Sequence, residues 1–183
     1  MERAEKIELA ANVIRDDGII GYPTEGVWGL GCNPFSEKAV ERLLRLKKRT
    51  KDKGLLLVAS EIDQFFPFLE GLEENNLAQL DKIWPGPVTF LVPDNGVAPE
   101  WIVGANETLG LRVSAHPEVK SLCDQVGPLV STSANIAGFP PVKSAEDFLA
   151  SFEDEIDYVL EGSLGGLEKA TEIRHIITGE VFR

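Results

Sequence analysis

No run of about 18 apolar residues occurs in this 183-residue chain, so no membrane span is expected. Cysteine is scarce: Cys32 and Cys123 lie far apart and form no CxxC pair, which predicts free thiols in a reducing compartment. The two histidines, His116 and His175, are likewise isolated, and nothing has zinc-site spacing. Residues 1–6 lack an apolar h-region, so a signal peptide is not expected and a cytoplasmic location is. There is no GxxxxGK[ST] phosphate loop, and Gly29-Leu30-Gly31 is followed by Pro34 where a dinucleotide fingerprint needs its third glycine. Ser133 sits in no GxSxG elbow and Cys32 has no histidine at a recognisable spacing, which gives hydrolase-type nucleophiles little support. No acidic pair is distinctive enough to suggest a glycosidase. Positive charge is scarce too. With 18 Lys and Arg against 30 Asp and Glu, the net charge is −12, which argues against a protein that simply coats nucleic acid.

The few cations are unevenly spread. Arg42, Arg45, Lys47, Lys48, Arg49, Lys51 and Lys53 make up seven of the 18. Such a run is either a solvated helix end, where cations complement the C-terminal dipole, or a local site for a polyanion such as ATP or an RNA backbone.

Composition is that of an ordinary globular protein, 43% hydrophobic and 26% charged, and the length suits one domain over residues 1–183. Hydrophobic periodicity alternates between helix and strand. Ile7, Ala10, Ala11 and Ile14 predict a helix closed by Asp16-Asp17-Gly18, followed by a strand at positions 19–22. Ser36 caps a second helix with a buried stripe of Ala39, Val40, Leu43, Leu44 and Leu46. If that helix persists far enough, Lys38, Arg42, Arg45 and Arg49 share its opposite face. Leu55-Leu56-Leu57-Val58-Ala59 suits a strand covered on both sides. A helix through Leu77, Leu80, Ile83 and Trp84 is stopped by Pro85-Gly86-Pro87. Strands are predicted at positions 88–92, 109–113, 129–132, 158–160 and 173–177, with helices opening at His116-Pro117 and capped by Ser144. The result is a mixed α/β fold.

Functional signals fall in loops after strands. The segment at positions 23–32 carries three glycines, which read either as an irregular turn or as room for close ligand approach. At positions 131–138 the hydroxyls and amide of Ser131, Thr132, Ser133 and Asn135 suit phosphate or carboxylate oxygens, or simply a Ser/Asn turn. Arg112, on a strand, either occupies an exposed face or forks onto an anion.

Taken in order, these segments resemble one family. Tyr22-Pro23-Thr24-Glu25, Lys47-Lys48-Arg49, Trp84-Pro85-Gly86-Pro87-Val88-Thr89, Leu111-Arg112-Val113 and Ser133-Ala134-Asn135 are similar to blocks of the YrdC/TsaC family, the L-threonylcarbamoyl-AMP synthases. KxR and SxN are weak motifs singly, but five blocks in this order and spacing are specific. The resemblance runs to Phe182-Arg183 and is to the short single-domain bacterial form.

The resemblance implies a twisted mixed sheet with flanking helices and a large, positively charged concave cleft. It implies a nucleotidyltransferase that joins L-threonine, bicarbonate and ATP into threonylcarbamoyl-AMP and pyrophosphate, the first step of N6-threonylcarbamoyladenosine formation in tRNA. Lys47 and Arg49 are the implied catalytic residues. Arg49, Lys53, Thr108, Ser133, Asn135 and Arg183 match positions around ATP, while Thr24, Arg112, Ser131 and Thr171 match positions around threonine. ATP enters as a substrate with Mg²⁺, without a dedicated protein metal site. Implied partners are other proteins of the tRNA threonylcarbamoylation pathway, with at most weak tRNA or double-stranded RNA contact. Lys38, Arg42 and Arg45 match no family position and keep the solvated-face reading.

The chain also departs from its longer relatives. Val58 stands where they have a histidine, Lys53 where they have an asparagine, and Thr171-Glu172-Ile173-Arg174 replaces a Ser-Thr-Val-Val type segment. Two other readings use the same residues. One is a double-stranded RNA or tRNA-binding module that needs no ATP. The other is carbamoyl transfer as in hydrogenase maturation, whose extra acylphosphatase and zinc modules have no counterpart here.

Overall fold

The computed structural model describes residues 1–168 and 171–183. Among them, the strands β1 (Ile20–Pro23), β2 (Trp28–Gly31), β3 (Leu56–Ala59), β4 (Val88–Pro93), β5 (Thr108–Val113), β6 (Leu129–Ser133), β7 (Tyr158–Val159) and β8 (Glu172–His175) form one mixed sheet. Their spatial order is β7-β1-β2-β6-β3-β5-β4-β8. The helices are α1 (Arg3–Arg15), α2 (Glu37–Lys47), α3 (Phe66–Leu69), α4 (Glu74–Ile83), α5 (Glu100–Val103), α6 (Pro117–Val126) and α7 (Ala145–Phe152). No helix among the described residues is long and apolar enough to cross a membrane.

β6 joins the two halves of the sheet. Leu129, Val130 and Ser131 pair antiparallel with Val58, Leu57 and Leu56 of β3, whereas Thr132 and Ser133 pair with Leu30 and Gly29 of β2. Because successive side chains of a strand point to opposite faces, the sheet divides cleanly. Leu57, Ala59, Phe90, Val92, Leu109, Leu111, Val113 and Val130 pack against the apolar faces of α2, α4, α5 and α7 in the larger core. On the other face, α1 and α6 pack together and bury Ile20, Tyr22, Val58 and Leu129. They cover β1, β3 and β7, and among the described residues no helix packs closely on the same face of β4, β5 and β8.

Most predicted elements are present, and two differ for physical reasons. α2 does not carry Arg49 on its solvent face, because it stops at Lys47. Lys48 takes the left-handed conformation, φ 50°, and the Lys48 and Arg49 N–H groups donate back to Arg45 O and Leu44 O. That pair of bonds is a Schellman stop, and it turns Arg49 away from Lys38, Arg42 and Arg45. The glycine-rich segment after β1 also holds more order than an irregular turn: β2 lies within it, fully buried. Its Trp-Gly-Leu-Gly sequence has weak strand propensity. The glycines serve a tight fit, since a Cβ at Gly29 would lie 3.1 Å from Thr24 Cγ2, and one at Gly31 would lie 2.7 Å from the Tyr22 ring.

Candidate active site

The strand face around β4, β5 and β8 is the floor of the site. Registers place Ser131, Leu56, Gly110 and Leu91 in one row across β6, β3, β5 and β4, with Val58 beside Arg112 in the next. Thr89 of β4 stands opposite Ile173 of β8. All of these line one cavity of about 420 Å³. Gly110 keeps the floor low, because a Cβ there would come 2.2 Å from Leu56 Cδ2. Alternation along the strands therefore sends hydroxyls, Arg112 and short apolar side chains into the cavity and the larger hydrophobes into the core.

The cavity lining includes Thr24, Arg112, Ser131 and Thr171. Thr24 sits in the β1–β2 turn, where its hydroxyl donates to Val27 O at 2.7 Å and closes the loop. Arg112 is 5% exposed, and its Nη1 lies 2.6 Å from Glu25 Oε1. The same carboxylate oxygen accepts from Ser114 Oγ at 2.6 Å. Burial pushes the Glu25 carboxyl upward, but the Arg112 charge and the bond from Ser114 outweigh it. The net shift is downward, so Glu25 is ionised at neutral pH.

Arg49, Lys53, Thr108, Ser133 and Arg183 line it as well. Arg49 donates from Nη2 to Lys53 O and Gly54 O, at 3.3 and 3.0 Å, and so holds the 51–54 turn. Its Nε is buried without a partner among the described residues, as is Thr89 Oγ1. Buried unpaired donors are costly. Arg183 arrives by a return of the chain along β8: Phe182 N–H donates to Ile173 O at 2.9 Å and Ile173 N–H to Arg183 O at 3.1 Å. Its Nε donates to Thr171 O at 3.2 Å. Burial lowers the Arg183 value, and the neighbouring Arg112 charge lowers it further. Among the described residues the lining thus includes Arg49, Lys53, Arg112 and Arg183 and no Asp or Glu. Like charges gathered on a half-enclosed surface favour an anionic ligand.

Two candidates lie elsewhere. Lys47 and Asn135 do not line the cavity. The Lys47 ammonium, 3% exposed, donates to Ser133 O, to Asn135 O at 2.8 Å and to Asn135 Oδ1 at 3.2 Å. Asn135 Oδ1 also accepts from Ser133 Oγ at 2.6 Å, and its amide donates to Phe139 O at 2.9 Å. This network fixes the turn after β6 and leaves Ser133 facing the cavity.

The basic run is dispersed by folding. Arg42 pairs with Asp157, Arg45 and Lys51 with Glu41, Lys47 is buried, and Arg49 and Lys53 face the cavity. Most cations of the run are therefore paired, buried or turned into the cavity and not gathered on one face, and the RNA-binding reading is not favoured. Burial pushes the Cys32 and Cys123 thiols up to about 12, which removes them as nucleophiles. Residues not singled out from sequence include Glu25, Ser114, Thr89 and Phe182. Glu25 and Thr89 stand inside recognised blocks, a signal that could have flagged them. Ser114 and Phe182 are brought in only by the fold.

Fold and site together define an α/β protein with a cavity on one face of a mixed sheet, its lining including Arg49, Lys53, Arg112 and Arg183. The family model for Sua5, YciO and YrdC, described as "Telomere recombination", matches residues 12–183, and the chain belongs to this family. It is 46% identical over 179 residues to the threonylcarbamoyl-AMP synthase of Cellvibrio japonicus, covering 97% of this chain and 95% of that protein. It is 48% identical over 178 residues to a threonylcarbamoyl-AMP synthase of Pseudomonas putida, covering 97% of this chain and 96% of that one. Among solved structures, P. abyssi Sua5 complexed with L-threonine superposes with a TM-score of 0.88 at 29% identity. That match covers 96% of this chain and 52% of the Sua5 chain, so this chain spans about half its length.

Proposed function

We propose that this chain is a nucleotidyltransferase that makes L-threonylcarbamoyl-AMP and pyrophosphate from L-threonine, bicarbonate and ATP. The observation that carries the reading is the convergence, in one cavity, of Arg112 with Thr24 and Thr171, and of Arg49, Lys53 and Arg183 with hydroxyls. The first group suits an amino acid bearing a hydroxyl. The second suits a triphosphate. High identity to named synthases over nearly the whole chain supports the same reading.

The neutral amine of threonine attacks the bicarbonate carbon and water leaves, giving threonine carbamate. A carbamate oxygen then attacks the α-phosphorus of ATP. The bond to the bridging oxygen breaks, and pyrophosphate carries away the electron pair. The step needs positioning and charge stabilisation more than a strong base. Arg112 takes the α-carboxylate, Thr24 and Thr171 the substrate hydroxyl, and Ser131 adds a contact. Arg49, Lys53 and Arg183 neutralise the phosphates, with Thr108 and Ser133 as hydroxyl partners. Lys47 and Asn135 act by holding Ser133 in place. ATP binds as its Mg²⁺ complex, the ion held by phosphate oxygens and water. The concave cavity limits water around the labile carbamate.

The active unit is a single domain over residues 1–183 working in the cytoplasm, and its adenylate passes to other proteins of tRNA threonylcarbamoylation. Pyrophosphate release by the purified protein tests the reading. It is expected only when threonine, bicarbonate and ATP are all present. Equal release without bicarbonate would leave a plain adenylating enzyme.

A further inference from the structure

Glu25 lies beneath Arg112 and outside the residues to which the reaction above assigns a role. Its backbone is clamped. Leu167 N–H donates to Glu25 O at 2.8 Å and Gly165 N–H to Thr24 O at 3.0 Å, so the 161–168 segment lies across the β1–β2 turn. A Cβ at Gly165 would come 3.0 Å from Glu25 Cα, so the approach is close enough to need glycine there. His116 holds the same segment through Ser163 O, 3.0 Å from Nε2. The side chain is fixed as well, by Ser114 Oγ at 2.6 Å. Ser114 is in turn held by the His116 N–H at 3.1 Å. A carboxylate anchored at both ends can hold its partner in one orientation.

The partner's geometry shows what that orientation achieves. Arg112 Nη1 is fully buried and pairs with Glu25 Oε1 at 2.6 Å, a charge contact off the line of a hydrogen bond that leaves this nitrogen, like Glu25 Oε2, without a hydrogen-bond partner among the described residues. No hydrogen bond joins Nε or Nη2 of Arg112 to the described residues, and the residue lines the cavity. A guanidinium is a planar fork, so fixing one corner aims the opposite edge. We infer that Glu25 is a positioning residue that pins Nη1 of Arg112 and presents its Nε–Nη2 edge to the α-carboxylate of the amino-acid substrate. Without that anchor, the long side chain has other rotamers available in the cavity, and a bidentate contact loses its preorganisation.

The inference rests on the proposed synthase reading, and its test separates the two. Wild-type pyrophosphate release with threonine, bicarbonate and ATP is the control arm. Its absence would overturn both. Glu25→Gln keeps the side-chain size and an oxygen for Ser114 while removing the charge. It is expected to raise the KM for threonine about tenfold or more, the scale of one charge-assisted contact, with the KM for ATP within about twofold of wild type. In an Arg112→Ala background the same change should have no further effect on the threonine KM, because the two residues act as one unit. Should Glu25→Gln fold poorly, Ser114→Ala loosens the anchor while keeping both charges, and a smaller rise in the same constant is expected. An active Glu25→Gln or Ser114→Ala protein with an unchanged threonine KM would overturn the positioning role. So would equal rises for threonine and ATP, which a merely structural residue would give.

Discussion

Arg49 and Arg112 are both drawn out of water, but they are held differently, and each difference has a measurable consequence. Arg49 spends one nitrogen on the carbonyls of the 51–54 turn and keeps a buried Nε unpaired. Arg49→Ala should remove a charge-assisted contact of about 1.5–3 kcal/mol, lowering kcat/KM for ATP roughly ten- to a hundredfold. The thermal unfolding temperature should fall by no more than the two lost bonds to the 51–54 turn allow, because the neighbouring core of α2 is intact. Unaltered ATP kinetics in the folded variant would return Arg49 to a surface role. Thr24, Thr171 and Val58 line the cavity with Arg112, and on the proposed reading they set the choice of amino acid. Valine matches threonine in shape but leaves a buried polar group unpaired, at about 1–3 kcal/mol. Serine loses only a methyl, worth roughly 1 kcal/mol. Competition at fixed ATP and bicarbonate should give the order threonine, serine, valine. Better use of valine than serine would mean that the pocket reads shape alone.

At the scale of elements, the turn after β6 depends on α2. Burial, and the neighbouring Arg49 charge, hold the Lys47 ammonium down at about 8, below the lysine value of 10.5. Since the folded value is the lower one, the unfolded chain binds more protons between those limits, and this group's contribution to stability rises with pH across that window. Activity should follow the opposite course. A neutral amine has two protons for three oxygen acceptors, so the Ser133–Asn135 turn loosens as pH passes about 8. The profile of kcat/KM should therefore fall above that pH without a matching loss of fold. Lys47→Met should lower the neutral-pH value about tenfold, the scale of a lost charged hydrogen bond, and flatten the falling limb. Persistence of the limb in Lys47→Met would assign it to another group. The same element marks where sequence reading succeeds and stops. Apolar spacing at Ala39, Val40, Leu43 and Leu44 identifies α2, and Ser36 caps it as expected, accepting from Ala39 N–H at 3.3 Å. Its end at Lys47 was not legible, because the stop uses a left-handed lysine and not the usual glycine. Nor was β2, whose glycines are chosen for clearance against Tyr22 and Thr24 at the expense of strand propensity. Candidate residues from separate blocks could be named from the resemblance. Their gathering on one sheet face depends on the pairing of β6 with both β2 and β3, which no local pattern specifies.

For the molecule as a whole, charge decides how it meets polyanions. A net charge of −12 repels RNA at distance, and the cations of the 42–53 run are mostly paired, buried or turned into the cavity. Pyrophosphate release should proceed at the same rate with or without tRNA. Any tRNA affinity should fall steeply between about 50 and 200 mM salt. An absolute need for tRNA would overturn that division between making the adenylate and transferring it. The central claim is that one cavity joins three small molecules, with bicarbonate carbon retained in the product. Mass spectrometry of the adenylate formed from carbon-13 bicarbonate, unlabelled threonine and ATP tests it most directly. The account predicts threonylcarbamoyl-AMP heavier by one mass unit, and an unlabelled threonyl adenylate as the sole product would contradict it.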